Sequence, residues 1–263
     1  MIKNIYILEN PKIYGIEKHK YKIERFLRKK KLIVQEKPTH NTDLVITLGG
    51  DGTLLKAIHL VKNEKALFLG IKFGKVGFLT NKTKNIKEKL ENILKGKFKI
   101  SERMCLEVAV KKDGKVIMED FCFNEIVLYK NGIRIVEIFG KRNNKEFLKY
   151  RGDGIIIATP TGSTAHSFSA GGPIVFPDME MISIVPICPY TLFSRPIILP
   201  PSEKIEIRVN SESNIVCDGQ RKFIIKPEYS VSIKKSNRKI KLLIDKDSDF
   251  FKTFKEKFGD IND

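Results

Sequence analysis

The sequence predicts an α/β, Rossmann-like N-terminal domain with a parallel sheet, then a β-rich, β-sandwich-like domain, with the C-terminal segment returning to the first. Three observations carry this expectation. Over the first hundred of 263 residues, short apolar runs alternate with amphipathic ones. One apolar run stops at Gly49-Gly50-Asp51-Gly52 and resumes as a helical pattern. Beyond about residue 100 the period shortens to two and turn dipeptides punctuate it. The expected domains are residues 1–100 plus 237–263, and residues 101–236.

In order, Ile5 to Leu8 reads as a buried strand, and Glu17 to Lys30 as a surface helix with Tyr21, Ile23, Phe26 and Leu27 among charges. Leu32 to Val34 and Leu44 to Leu48 are strands, Thr53 to Val61 a helix, and Ala66 to Ile71 a fourth strand. Ile86, Leu90, Ile93 and Leu94 share a helix face that Gly96 ends. In the second region Leu106, Val108 and Val110 alternate with polar residues. Asp113-Gly114, Asn131-Gly132 and Asp218-Gly219 read as hairpin turns. Strands are expected at Ile133 to Phe139, Ile155 to Ala158, Ile205 to Val209, Lys222 to Ile225 and Val231 to Ile233. Thr164 to Ala170 is the one helical stretch there; Ile240 to Ile244 and an amphipathic helix, Phe250 to Phe258, close the chain.

Composition excludes several classes. A hydrophobic fraction of 41% with 30% charged residues is no disordered, collagen-like or rod-like chain. The net charge is +18, but the lysines are scattered without a basic arm. A solvated Lys-rich surface is preferred to a nucleic-acid footprint, and attraction of small polyanions such as nucleotides is a third reading. Cys105, Cys122, Cys188 and Cys217 have no metal-ligand spacing and read as small buried hydrophobes in a reducing cytoplasm. No signal peptide is read at the N-terminus, and the apolar stretch Ile182 to Leu199 holds three prolines and Arg195, which a membrane span would not choose.

Three motifs could carry chemistry. Gly49, Gly50, Gly52 and Thr53 surround the single carboxylate of Asp51 where a strand meets a helix. Glycines let amides approach phosphate oxygens, the helix N-terminus favours negative charge, and a carboxylate there suits a proton acceptor or metal ligand. The alternative is a tight turn with Asp51 capping the helix. Second, Arg151-Gly152-Asp153-Gly154 leads through a strand to Thr159-Pro160-Thr161-Gly162-Ser163-Thr164-Ala165-His166-Ser167-Phe168-Ser169-Ala170-Gly171-Gly172-Pro173. Crowded hydroxyls suit ribose and phosphate recognition, or else form a loop with an N-cap at Ser163 or Thr164. Third, Asn124-Glu125 interrupts an apolar run; the pair either binds a ligand's hydroxyls and amines or is wet on an edge strand.

Taken in order from about Leu44 to Gln220, these motifs resemble the NAD kinase family. The glycine-aspartate motif alone is shared with phosphofructokinases and diacylglycerol kinases, whereas the long Thr159 to Pro173 motif is specific. The resemblance implies an enzyme that transfers the γ-phosphate of ATP, another nucleoside triphosphate or polyphosphate to the adenosine 2′-hydroxyl of NAD, giving NADP. It implies Asp51 as general base, with Gly49, Gly50, Gly52 and Thr53 at the donor phosphates and a divalent cation, Mg²⁺ or Mn²⁺. For NAD it implies Asp51, Gly52, Lys56, Phe78 beside the adenine, Asn124 and Glu125 on the adenosine portion, Arg134, Arg151, Asp153 near the nicotinamide, and Gln220. Thr161, Thr164, Ala165, His166, Ser167, Phe168 and Ser169 complete that set as the turn around the dinucleotide. Where the family usually has Tyr, this chain has His166. The first domain would hold nucleotide phosphates and the second NAD, in a cytoplasmic homodimer or homotetramer with partner subunits completing each NAD site, and without nucleic acid or membrane. A related lipid or sugar-phosphate kinase and a basic nucleic-acid-binding protein are the alternatives. ATP against polyphosphate, and NAD against NADH, stay open at this point.

Overall fold

The computed structural model describes residues 2–74, 77–82, 85–191, 194–245 and 248–259. In chain order its first elements are β1 (Asn4–Glu9), α1 (Ile16–Lys29), β2 (Ile33–Gln35), β3 (Leu44–Gly49), α2 (Asp51–Leu60), β4 (Leu67–Lys72), α3 (Ile86–Leu94), β5 (Lys99–Lys112) and β6 (Lys115–Cys122). Then come β7 (Glu125–Lys130), β8 (Val136–Arg142), β9 (Lys145–Gly152), β10 (Gly154–Ala158), a 3-10 turn (Thr161–Thr164) and α4 (His166–Ser169). β11 (Ile182–Ile187), β12 (Ile197–Leu199), β13 (Ile205–Val209), β14 (Ser213–Cys217), β15 (Arg221–Ile225), β16 (Tyr229–Ile244) and α5 (Phe250–Phe258) follow. The chain divides into one unit of Met1–Glu102 with Ile240–Asp263 and another of Arg103–Lys239.

The first unit is built on parallel strands in the order β2-β1-β3-β4, with the end of β16 paired to β4 through Lys241 and Leu242. Ile5 and Ile7, Leu44, Ile46 and Leu48, and Leu69 and Ile71 point to one face, where Ile16, Ile23 and Leu27 of α1 and Leu90 and Ile93 of α3 cover them. The alternate residues, Val45 and Phe68 among them, are equally buried and face the other way, the side left for Leu54, Ala57 and Ile58 of α2. Strands buried on both faces explain why β3 reads as one unbroken apolar run.

The second unit is a sandwich. One sheet runs β12-β11-β10-β7-β14-β15, every neighbouring pair antiparallel. Facing it, β8 lies between β9 and β13, and β13 pairs with the start of β16. Ile126, Leu128, Ile155, Ile157, Ile182 and Ile184 of the first sheet share a core with Val136, Ile138, Ile205, Ile207, Val231 and Ile233 of the second. Ile156 and Ala158 point away from it and pack with Val127 and Val185 under Ala170.

Several local expectations change. α2 begins at Asp51, not Thr53, and β8 begins at Val136, not Ile133. Asn131-Gly132 is no hairpin: β7 and β8 belong to different sheets, and the dipeptide carries the chain between them. The tight turns Asp113-Gly114 and Asn143-Asn144 lie between paired residues with all four φ values positive. The expected Thr164–Ala170 helix is a 3-10 turn and a short helix, broken at Ala165 (φ −103, ψ −130). Among the described residues no helix is long and apolar enough to cross a membrane.

Candidate functional site

Asp51 is the first residue of α2, and its side chain does not cap that helix. The carboxylate turns to the segment after β4. Oδ2 accepts the N–H of Phe78 at 2.8 Å, while Oδ1 accepts the N–H of Leu79 at 3.2 Å and the Thr80 hydroxyl at 3.1 Å. Gly77 permits this approach: a Cβ there would fall 2.2 Å from Asp51 Oδ1. The capping alternative therefore fails. Gly49 is buried, Gly50 and Thr53 are half-buried, and Gly52 is exposed, so a strand end and the first-turn amides of a ten-residue helix surround a half-buried carboxylate.

Sequence reasoning missed Lys72, the last residue of β4. Its ammonium is held below the usual lysine range by burial and by the Lys82 charge, with Glu256 and Asp51 acting in the opposite sense. A cation within electrostatic reach of Asp51 is the signal that only the structure supplies. Lys56, on α2, is exposed. Phe78 is half-buried, and its ring lies 5.7, 6.3 and 5.9 Å from the rings of Phe250, Phe254 and Phe258 of α5, with Lys257 Nζ 4.6 Å over it. No local pattern of residues marks the packing of α5 on this aromatic.

In the second unit, Asn124 and Glu125 lie at the start of β7, a central strand, and are buried at 7% and 6% exposure. The wet-edge alternative is thereby overturned. The neighbouring strand supplies the other wall: Glu125 pairs with Ala158, Thr159 N–H donates to the Asn124 carbonyl at 2.9 Å, and the Thr159 hydroxyl donates to the Phe123 carbonyl at 2.7 Å. The 3-10 turn is pressed onto this corner, for a Cβ on Gly162 would meet Asn124 O at 2.1 Å. Ser163 and Thr164 are not N-caps; the Ser163 hydroxyl donates to Val175 O at 3.2 Å and accepts Val175 N–H at 3.1 Å.

Four buried oxygens or hydroxyls here have no hydrogen-bond partner among the described residues: Asn124 Oδ1, Glu125 Oε2, Thr161 Oγ1 and Ser167 Oγ. Buried polar atoms are ordinarily satisfied, so open ones on adjoining segments suit a polar ligand; Ser183 Oγ and Asn214 Oδ1 of the same sheet are open as well. Burial, with the Asp218 charge second, pushes the Glu125 carboxyl up to about 8. Thr164 is buried beside them; Ala165 and Phe168 are half-buried, and His166 and Ser169 are exposed. Gln220 is exposed on the turn after β14.

Arg134, Arg151 and Asp153 lie elsewhere. Asp153 precedes Gly154, which pairs with Tyr129, whereas Ala158 pairs with Glu125. At about 3.4 Å per residue, Asp153 is therefore about 17 Å from the Glu125 end of the sheet. There it pairs with Lys130 at 2.6 Å, and Arg151 meets Glu137 at 3.2 Å and stacks over Tyr190 at 5.3 Å. Arg134 is exposed in the stretch after Lys130.

Among the described residues no three His, Cys, Asp or Glu side chains gather as a metal cage. Asp51, the carboxylate expected to face a cation, already receives three donors. A protein-held divalent ion does not fit these residues. A cavity of about 610 Å³ between α3 and the end of β16, lined by Lys82, Lys89, Lys97, Asn85 and Asn92 among others, contains none of the expected site residues.

Comparison with known proteins agrees over most of the chain. The ATP-NAD kinase N-terminal domain family matches residues 6–98, and the ATP-NAD kinase C-terminal domain family matches residues 99–244. The chain is 39% identical over 222 residues to an NAD kinase of Syntrophobacter fumaroxidans, spanning 82% of this chain and 78% of that protein. To an NAD kinase of Geobacter sulfurreducens it is 35% identical over 240 residues, spanning 89% and 84%. Its fold is similar to that of yeast NADH kinase complexed with NADH (TM-score 0.90, 25% identity, 100% of this chain and 89% of that one). It is also similar to an Archaeoglobus fulgidus NAD kinase in complex with ATP (TM-score 0.80, 25% identity, 98% and 99%).

Proposed function

Because the chain belongs to the NAD kinase family, we propose a division of labour among its residues for the reaction it performs, the phosphorylation of NAD with ATP. Asp51 is the general base: it takes the proton of the adenosine 2′-hydroxyl as that oxygen attacks the γ-phosphorus, and ADP leaves as NADP forms. The first-turn amides of α2, with Gly49, Gly50, Gly52 and Thr53, receive the donor phosphates, and the Lys72 ammonium adds positive charge there. A divalent cation would come with ATP as part of that substrate, neutralising its phosphates.

The observation that carries the acceptor half is the cluster of open buried atoms on Asn124, Glu125, Thr161 and Ser167. Ribose hydroxyls and an adenine amine are the groups that satisfy them. Arg151 and Asp153 serve the NAD site of a partner subunit in a homodimer or homotetramer; the separation of Asp153 from Glu125, about 17 Å or five strand residues, supports this. Phe78 offers the adenine a ring face. Cys105, Cys122 and Cys217 are buried as expected, whereas Cys188 is exposed, and all four free thiols suit a reducing, cytoplasmic setting. Neither a nucleic acid nor a membrane is a partner in this reading, because the positive charge is dispersed.

A turnover assay crossing ATP and polyphosphate with NAD and NADH tests the assignment. NADP formed from ATP and NAD is the expected result, and no NADP with either donor would overturn it.

A further inference from the structure

Asp218 opens the turn between β14 and β15 with φ 51, and it is buried at 4% exposure. Nothing in the sequence marks it beyond a turn dipeptide. Its carboxylate reaches the start of β7, where Oδ2 accepts the N–H of Phe123 at 2.7 Å and Oδ1 accepts those of Asn124 at 2.7 Å and Glu125 at 3.1 Å. Its own N–H donates to the Glu125 carbonyl at 3.0 Å. One side chain thus collects three consecutive amides, the arrangement by which a curved backbone grips an anion.

That grip sets the local shape. In a regular strand Asn124 and Glu125 would point to opposite faces. Here the backbone bends through residues 123 and 124, and both side chains are buried with an open oxygen each. We propose that Asp218 is a positioning residue for NAD binding: without touching the substrate, its carboxylate holds the bend that presents Asn124 and Glu125 together. The proposal rests on the reading that this pair holds NAD.

The charge of Asp218 has a second effect. It reinforces burial in keeping Glu125 protonated up to about pH 8. The other titratable groups at this corner are the thiol of Cys122, raised by burial, then by Cys217, Asp218 and Asp120, and Asp120 itself, paired with Arg221 at 2.8 Å. Glu125 therefore meets its ligand near neutrality as an acid that both donates and accepts.

The test compares Asp218→Asn with Asn124→Ala, Glu125→Ala and Glu125→Gln. An amide at 218 loses the charge and sets an N–H₂ against a backbone N–H. The expected result is a KM for NAD raised on the order of tenfold, with kcat and the KM for ATP within about threefold, as lost ground-state binding requires. Calorimetric NAD affinity across pH should show an inflection near 8, absent in Glu125→Gln and moved down by on the order of one pH unit in Asp218→Asn. A merely structural aspartate would lower the melting temperature without a selective rise in the KM for NAD. Asp218→Ser, which keeps an acceptor without the charge, carries the same expectations should the Asn variant not fold. If Asn124→Ala and Glu125→Ala leave the NAD KM unchanged, the underlying reading falls and this proposal with it. If they raise it while Asp218→Asn leaves the KM for NAD unchanged, the proposal alone is overturned, whatever the inflection does.

Discussion

The carboxylate of Asp51 accepts the backbone N–H of Phe78 at 2.8 Å, across 27 residues of chain. The proposed base and the proposed adenine-facing ring are therefore fixed to one another by the main chain.

For Asp51→Asn this sets two expectations. The amide cannot take the acceptor's proton, and general-base help is worth about 10²–10⁴-fold, so kcat should fall by that order. One donor of the 78–80 segment must also face an N–H₂ group, so NAD affinity weakens modestly. Steady-state rates with calorimetry read both, and near-normal kcat would remove Asp51 from the chemistry.

Gly162→Ala should destabilise the second unit. The new Cβ meets Asn124 O at 2.1 Å and Asn124 C at 2.6 Å, both backbone atoms that cannot swing aside. Overpacking of this kind costs about 1–3 kcal/mol. A thermal melt should drop by several degrees, together with NAD affinity; an unchanged melt would show that the turn does not press on Asn124.

His166 is exposed at the start of α4. His166→Tyr should keep kcat within about tenfold, because a ring at this place serves binding and general acid-base help would be worth more than that. A thousandfold loss with intact NAD affinity would show that the imidazole moves protons.

The raised Glu125 carboxyl has a consequence for stability. Its folded value of about 8 exceeds the ordinary 4.5, so between those values the folded state binds the extra proton. Ligand-free stability should then fall as pH rises from 4.5 toward 8 and level above it. Denaturant melts of wild type and Glu125→Gln across that range check the sign: the variant should lose this part of the slope.

Mixing inactive Asp51→Asn with inactive Asp153→Ala subunits tests shared sites. If Asp153 serves its partner, each mixed dimer keeps one intact site, and random exchange restores about a quarter of wild-type activity. No recovery after proven exchange would place both residues in one chain's site.

What the sequence could disclose followed from local chemistry. β3, β10 and α1 were legible because burial imposes a short-range apolar pattern. β6 and β9 were not, because most of their side chains are solvent-facing and leave no alternation to read. Asp51 stood out among glycines, yet the 78–80 donors that orient it and the 95 residues between Phe123 and Asp218 have no local signature. Asn131-Gly132 misled for a related reason: a turn dipeptide reports a reversal, and only the strand pairing reports which sheet the chain enters next.

β16 has a consequence for how the protein is made. The N-terminal unit takes its fifth parallel strand from Lys241 and Leu242, whose partners Leu67 and Phe68 leave the ribosome far earlier. At about 5–20 residues per second, the wait is on the order of ten seconds, during which the Leu67–Phe68 end of β4 lacks its outer partner while Asn81 covers Gly70 to Lys72. A ribosome-bound chain stopped before residue 241 would therefore hold that stretch of strand edge exposed.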